Sequence, residues 1–170
     1  DNLPQQEIID YNNAIFYNYD IHGNVKEVVN YYRTLHTNDS DRYVKQIQYE
    51  YDLISGNVKR VTYQKDREDQ FIHAYEYDAD NRITNVKTSK DGVIWENDAS
   101  YQYYEHGPLA RVDLGDKKVQ GQDFLYTLQG WLKSVNGEYI TDPTKDFGQD
   151  GTAGSLVAKD AFGYSLGYFE

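Results

Sequence analysis

One unit recurs along this chain in a single register: an aromatic-x-Tyr-Asp motif, a short gap, Gly-Asn or a substitute, an apolar residue, and a Val three positions on. The first copy is Tyr17-Asn18-Tyr19-Asp20, Gly23-Asn24-Val25 and Val28; the second is Tyr49-Glu50-Tyr51-Asp52, Gly56-Asn57-Val58 and Val61. The third runs Tyr75-Glu76-Tyr77-Asp78, Asn81-Arg82-Ile83 and Val86. Two looser copies follow, Tyr101-Gln102-Tyr103-Tyr104 with Gly107-Pro108-Leu109 and Val112, then Phe124-Leu125-Tyr126-Thr127 with Gly130-Trp131-Leu132 and Val135. Steps from Tyr19 to Tyr51, Tyr77, Tyr103 and Tyr126 are 32, 26, 26 and 23 residues. A unit this short cannot bury an apolar face alone, so each copy must stack on its neighbours.

Each position has a physical reading. Tyr-x-Tyr places two rings on one face of a strand, because side chains alternate. The Asp stands where the strand turns, and its carboxylate can accept a backbone N–H two residues on. Gly23, Gly56, Gly107 and Gly130 suit a turn position with positive φ; Asn81 holds that slot in the third copy, and Asn tolerates it best among the rest. Asp52 to Gly56 is one residue longer than the other gaps, which predicts a different turn there. The apolar residue and the Val, three apart, face opposite sides of a regular strand, unless a bulge returns the Val to the first face. Ser89-Lys90-Asp91-Gly92 marks a further turn, and Thr37-Asn38-Asp39-Ser40-Asp41 forms the polar tip of the longest connection.

Composition agrees with strands. Among 170 residues there are 18 Tyr, 6 Phe and 2 Trp, and aromatic residues favour pleated, half-buried surfaces. A net charge of −11 repels phosphate backbones and argues against nucleic-acid binding. No segment approaches the roughly 20 apolar residues of a membrane-spanning helix. The absence of Cys removes disulfides, thiolate nucleophiles and Cys-based zinc sites. The absence of Met, with an opening Asp-Asn-Leu-Pro, reads as a piece of a longer polypeptide.

After Val135 the rhythm loosens. From Tyr139 to Asp160 the chain is rich in turn residues, and only a short helix near Leu156–Ala161 fits the composition. Gly163-Tyr164-Ser165-Leu166-Gly167 matches the nucleophile elbow of hydrolases, but that motif needs a following helix and a later His, and all four His (His22, His36, His73, His106) precede it. His22 and His106 precede turn glycines of different copies and read as turn residues. Asp142, Asp146, Asp150 and Gly151 lack the alternation of a calcium loop and read as a solvated loop. No metal, cofactor or catalytic residue is expected. Trp95 and Trp131 lie off the tyrosine register and are the candidates for a ligand platform.

From Phe16 to Val135 the residues resemble the Rhs or YD repeat family, named for Tyr-Asp motifs followed by Gly-Asn or Gly-Arg and an apolar residue. Tyr104 and Thr127 depart from its Asp position. The resemblance implies an all-β array of antiparallel hairpins adding edge to edge into one elongated, twisted or curled sheet. Residues 1–138 would form five hairpin repeats anchored at Tyr19, Tyr51, Tyr77, Tyr103 and Tyr126. Residues 139–170 would be a loop-rich segment leading toward a further repeat or core. In bacterial members the sheet spirals into a shell around a C-terminal toxin. The resemblance thus implies a non-catalytic wall segment of a secreted or cell-surface protein, with neighbouring repeats as partners. Exposed sheet edges make self-association an expectation. The alternative is a module binding glycans or a surface partner through Tyr and Trp.

Overall fold

The computed structural model describes residues 12–32, 43–137 and 148–168. The chain is all-β, with strands β1 (Asn13–Tyr19), β2 (Val25–Tyr32), β3 (Val44–Tyr51), β4 (Val58–Tyr63), β5 (Phe71–Tyr77), β6 (Ile83–Ser89), β7 (Glu96–Tyr103), β8 (Leu109–Leu114), β9 (Gln120–Tyr126), β10 (Leu132–Val135) and β11 (Tyr164–Ser165). Strand order in the sheet is chain order. Among the described residues there is no helix, and none long and apolar enough to cross a membrane. The short helix expected near Leu156–Ala161 is irregular chain instead. There Ser155 Oγ accepts the Val157 N–H and the Val157 carbonyl accepts the Gly151 N–H, so local bonds replace a helical ladder. The polar tip Thr37–Asp41 lies outside the described residues, as do Asp142 and Asp146.

Two compact units divide the chain, one of residues 1–74 and 89–94, the other of 75–88 and 95–170. In the first, β1 to β4 and the start of β5 form an antiparallel ladder. The ambiguous three-residue spacing is resolved by a bulge. Tyr19 pairs with Val25 and Asn18 with Glu27, so Lys26 is skipped and Val28 pairs with Tyr17. Tyr51 pairs with Val58 and Tyr49 with Val61, with Lys59 skipped. The Val therefore returns to the tyrosine face, and both apolar residues of each copy pack on one side. Among the described residues of this unit, Tyr31 and Ile72 are the buried apolar ones, and Tyr43 meets Tyr31 edge to face at 5.7 Å. Just past β4, buried Gln64 accepts the Gln46 N–H through its side chain while donating its own N–H to the Gln46 carbonyl.

The second unit repeats the device. Tyr103 pairs with Leu109 and Tyr101 with Val112 around Ala110; Tyr126 pairs with Leu132 and Phe124 with Val135 around Lys133. Its apolar core is Ala99, Ala110, Val112 and Val157. β8 has four consecutive buried residues, so both of its faces are covered.

Candidate functional site

The turns carry the repeat's polar residues. In the first and third copies the Gly23 N–H bonds the Asp20 carbonyl and the Asn81 N–H bonds the Asp78 carbonyl. Gly23 and Asn81 have φ of 87° and 62°, the left-handed region that a single turn residue must enter here. The carboxylates close these turns: Asp20 Oδ1 accepts the N–H groups of His22 (2.8 Å) and Asn24 (2.9 Å), and Asp78 Oδ1 accepts those of Asp80 and Arg82 (both 2.9 Å). The Arg82 backbone N–H, with its side chain at 2.7 Å, holds the Asp78 carboxyl below the usual carboxylate range against a smaller desolvation effect. Asp52 is lowered too, chiefly by the Ser55 hydroxyl. In that copy the Gly56 N–H reaches back four residues to the Asp52 carbonyl, the longer turn that the extra residue requires.

The last two copies keep the backbone turn without the carboxylate. Gly107 N–H bonds the Tyr104 carbonyl and Gly130 N–H the Thr127 carbonyl, both at 2.9 Å. Thr127 Oγ1 accepts the Trp131 N–H at 3.2 Å, a weaker version of the aspartate's bond. Tyr104 instead turns its hydroxyl to the Phe124 carbonyl and meets Tyr126 edge to face. With His106, Pro108 and Leu128 these rings line an open cleft of about 490 Å³.

A second feature ties hairpins together. Tyr51 donates its hydroxyl to the Val25 carbonyl and Tyr103 to that of Ile83, both at 2.8 Å. Each clamps the apolar position of the hairpin before it. Tyr168 makes the same bond to Leu132 at 2.7 Å. The register matches as well, since Val28 pairs with Ile47, Val86 with Ala99 and Val135 with Tyr164, and the clamping tyrosine follows four residues later each time. Tyr168 thus holds the clamping place of a sixth copy. That equivalence was hidden by the long excursion between Val135 and Tyr164, and no Asp follows it in the sequence.

The excursion is fastened by a buried charge cluster. Arg111 on β8 donates Nε to Asp113 (2.7 Å), Nη1 to Asp123 on β9 (2.6 Å) and Nη2 to Asp150 (2.7 Å), and all four residues are buried. Desolvation opposes the guanidinium charge, but the bonds to Asp150, Asp123 and Asp113 outweigh it and raise its pKa. The slot admits no larger neighbours, because a Cβ on Gly121 or Gly148 would collide with the guanidinium. Asp123, Asp150 and Asp160 each offer an oxygen within 4.8 Å of the others; Arg111 supplies the cation for two of them, and Asn136 Nδ2 donates to Asp160. Asp150, read in sequence as a solvated loop residue, is in fact an internal anchor. The legible signal was Arg111-x-Asp113, two opposite charges on one face of an otherwise apolar strand.

The remaining candidates sit apart from this cluster. Trp95 is half-buried ahead of β7; Trp131 is 48% exposed in the turn ahead of β10, its ring 5.2 Å from Tyr168. β8 and β9 separate the strands they precede. Ser165 lies on the two-residue β11 with its Oγ 3.4 Å from Ser134 Oγ, and no helix follows among the described residues. His22 lies 3.9 Å from the Asp20 carboxylate and His106 stacks on Tyr104 at 5.3 Å, each within its own turn.

No family model matches this chain, and no curated protein does. Fifteen chains of solved structures match. One is described as the crystal structure of TcdB2-TccC3 without hypervariable C-terminal region, with a TM-score of 0.53 and 15% identity over 69% of this chain. The chain spans 6% of the length of that protein. What the two share is the fold, a serial array of antiparallel β-hairpins.

Proposed function

We propose that this chain is a non-catalytic wall segment of an Rhs or YD repeat protein, secreted or displayed on a bacterial surface, whose sheet encloses a toxin or other C-terminal cargo. The observation that carries this reading is the repeated bulge and tyrosine clamp. They recur because each hairpin has one mechanical task, to cap the edge of the one before and offer an edge to the next. An active site would break that repetition. The turn aspartates are accordingly spent on backbone N–H groups. Cryo-electron microscopy of the parent polypeptide tests the reading. The expected result places these hairpins side by side in a hollow wall, one face toward enclosed density. A parent in which they form a free-standing module with both faces in solvent overturns it.

The cleft beside Tyr104 and Tyr126 favours a second reading, in which the segment binds a glycan on aromatic rings. Its volume falls within the range of small-molecule sites, and Gly130, which lines it, is followed in the chain by the half-exposed Trp131. Glycan-array binding that disappears in Tyr126→Ala and Trp131→Ala supports this reading. An array without signal at high protein concentration removes it.

A further inference from the structure

The sequence holds one Asn-Gly pair, Asn136-Gly137. In such a pair asparagine loses its amide most readily, because glycine has no side chain to keep its nitrogen away from the asparagine Cγ. Here the reacting groups are tied down. Asn136 is 7% exposed and stands at a φ of 48° just past β10. Its N–H donates to the Asp123 carbonyl at 3.0 Å, and its Oδ1 accepts the Asp123 N–H at 2.6 Å. Nδ2 donates to the Gly121 carbonyl at 3.3 Å and to Asp160 Oδ1 at 2.8 Å. The amide oxygen and both amide hydrogens are therefore committed.

The nucleophile is held as well. The Gly137 N–H donates to Ser134 Oγ at 3.0 Å, and that hydroxyl donates to the Tyr164 carbonyl at 3.0 Å. A Cβ on Gly137 would stand 2.2 Å from the same carbonyl, so β11 closes directly over the pair. Asp160 and Tyr164 belong to the segment 148–168, whereas Gly121, Asp123 and Ser134 lie on β9 and β10. The pair is thus locked by the docking that the Arg111–Asp150 ion pair secures.

We propose that Asn136 is a modification site: the docked segment protects it, opening of the segment lets it deamidate, and the lost amide then keeps the segment from docking again. In the opened chain the Gly137 nitrogen attacks Asn136 Cγ. The N–Cγ bond forms, the Cγ–Nδ2 bond breaks, and the amide group leaves as ammonia with the proton that the Gly137 nitrogen gives up. Water then opens the cyclic imide at either carbonyl, giving aspartate or isoaspartate with no oxidant or reductant involved. Either product puts a carboxylate where Nδ2 donated two bonds. That carboxylate faces two acceptors, Asp160 Oδ1 and the Gly121 carbonyl, beside Asp123 and Asp150, which already offer oxygens within 4.8 Å of one of Asp160. Redocking would bury an added charge against them. Isoaspartate also lengthens the backbone where Asn136 pairs with Asp123.

Peptide mapping by mass spectrometry of the whole chain in mildly alkaline buffer, folded and urea-unfolded, tests this. Asn136 should deamidate about tenfold or more slowly in the folded chain, because the reaction waits on local opening. Across urea concentrations below the unfolding midpoint, its rate should follow the opening of residues 148–168 seen by hydrogen exchange, and not the rarer opening of β8. Asn136→Asp stands in for the product: exchange through 148–168 should rise while β8 keeps its protection. Adding Asp160→Asn should restore that protection, since an amide donor then meets the new carboxylate; a merely structural role for Asn136 would gain nothing from removing the Asp160 charge. Equal folded and unfolded rates, a rate that tracks β8, or a segment indifferent to Asn136→Asp overturns the proposal. So does loss of β8 protection in that variant, or no recovery in the double variant. None of these readouts depends on the wall reading, and a parent without a shell leaves them untouched.

Discussion

Nothing lies within 4 Å of the missing Cβ at Gly23, Gly56, Gly107 or Gly130, so these glycines serve the backbone and not the packing. Gly130→Ala should therefore cost about 1 kcal/mol, the steric penalty of an L-residue at positive φ, while Asn81→Gly should be nearly neutral. Urea midpoints of the two variants check this. The tyrosine pairs separate a ring from a hydroxyl. Tyr103→Phe deletes the bond to Ile83 and should cost about 1 kcal/mol, whereas Tyr101→Phe should cost little by comparison, because the Tyr101 hydroxyl has no bond among the described residues. The turn carboxylates set the pH response. Asp78, Asp52 and Asp91 are held below their ordinary value by the Arg82 N–H, the Ser55 hydroxyl and the Ile94 and Val93 N–H groups respectively. A carboxylate lowered on folding stabilises the native state above its unfolded pKa and stops doing so as pH falls through its folded value. Stability should thus decline on acidification below about pH 4, and Asp78→Asn should flatten that decline in urea titrations at stepped pH.

At the scale of the element, the sequence made the hairpins legible and left their register open. Tyr-x-Tyr, Asp and Gly name strand, turn and reversal through local chemistry, which is why the turns could be placed residue by residue. The bulges at Lys26, Lys59, Ala110 and Lys133 could not be. A three-residue spacing is compatible with either face, and only pairing with the neighbouring strand decides. The Arg111 cluster was legible only in part: Arg111-x-Asp113 marks it locally, but Asp150 lies 39 positions from Arg111, and no local pattern announces that pairing. Removing its cation tests what the cluster does. Arg111→Leu would leave Asp113, Asp123 and Asp150 buried without their shared partner, a loss of about 3–5 kcal/mol. Hydrogen exchange should then rise through residues 148–168 well before β8 itself is affected, and unchanged protection of that segment would show that other contacts hold it.

Across the whole molecule, stability should be uneven. Among the described residues most of the buried ones belong to the second unit, including Ala110, Arg111, Val112, Asp123, Ser134 and Asp150, while β1 is largely exposed. Repeat arrays held by neighbour contacts unfold piecewise when those contacts differ in strength. Amide protection should be highest in β8 and β9 and lowest in β1, and a uniform profile would contradict this. The claim beneath all of these is that one bulged register repeats along the chain. Nuclear Overhauser contacts across the strands measure it directly. The expected result links Tyr17 to Val28, Tyr49 to Val61, Tyr101 to Val112 and Phe124 to Val135, with the residue at each bulge passed over. Contacts that run through those residues without a skip, and so place the valines on the opposite face, would contradict it.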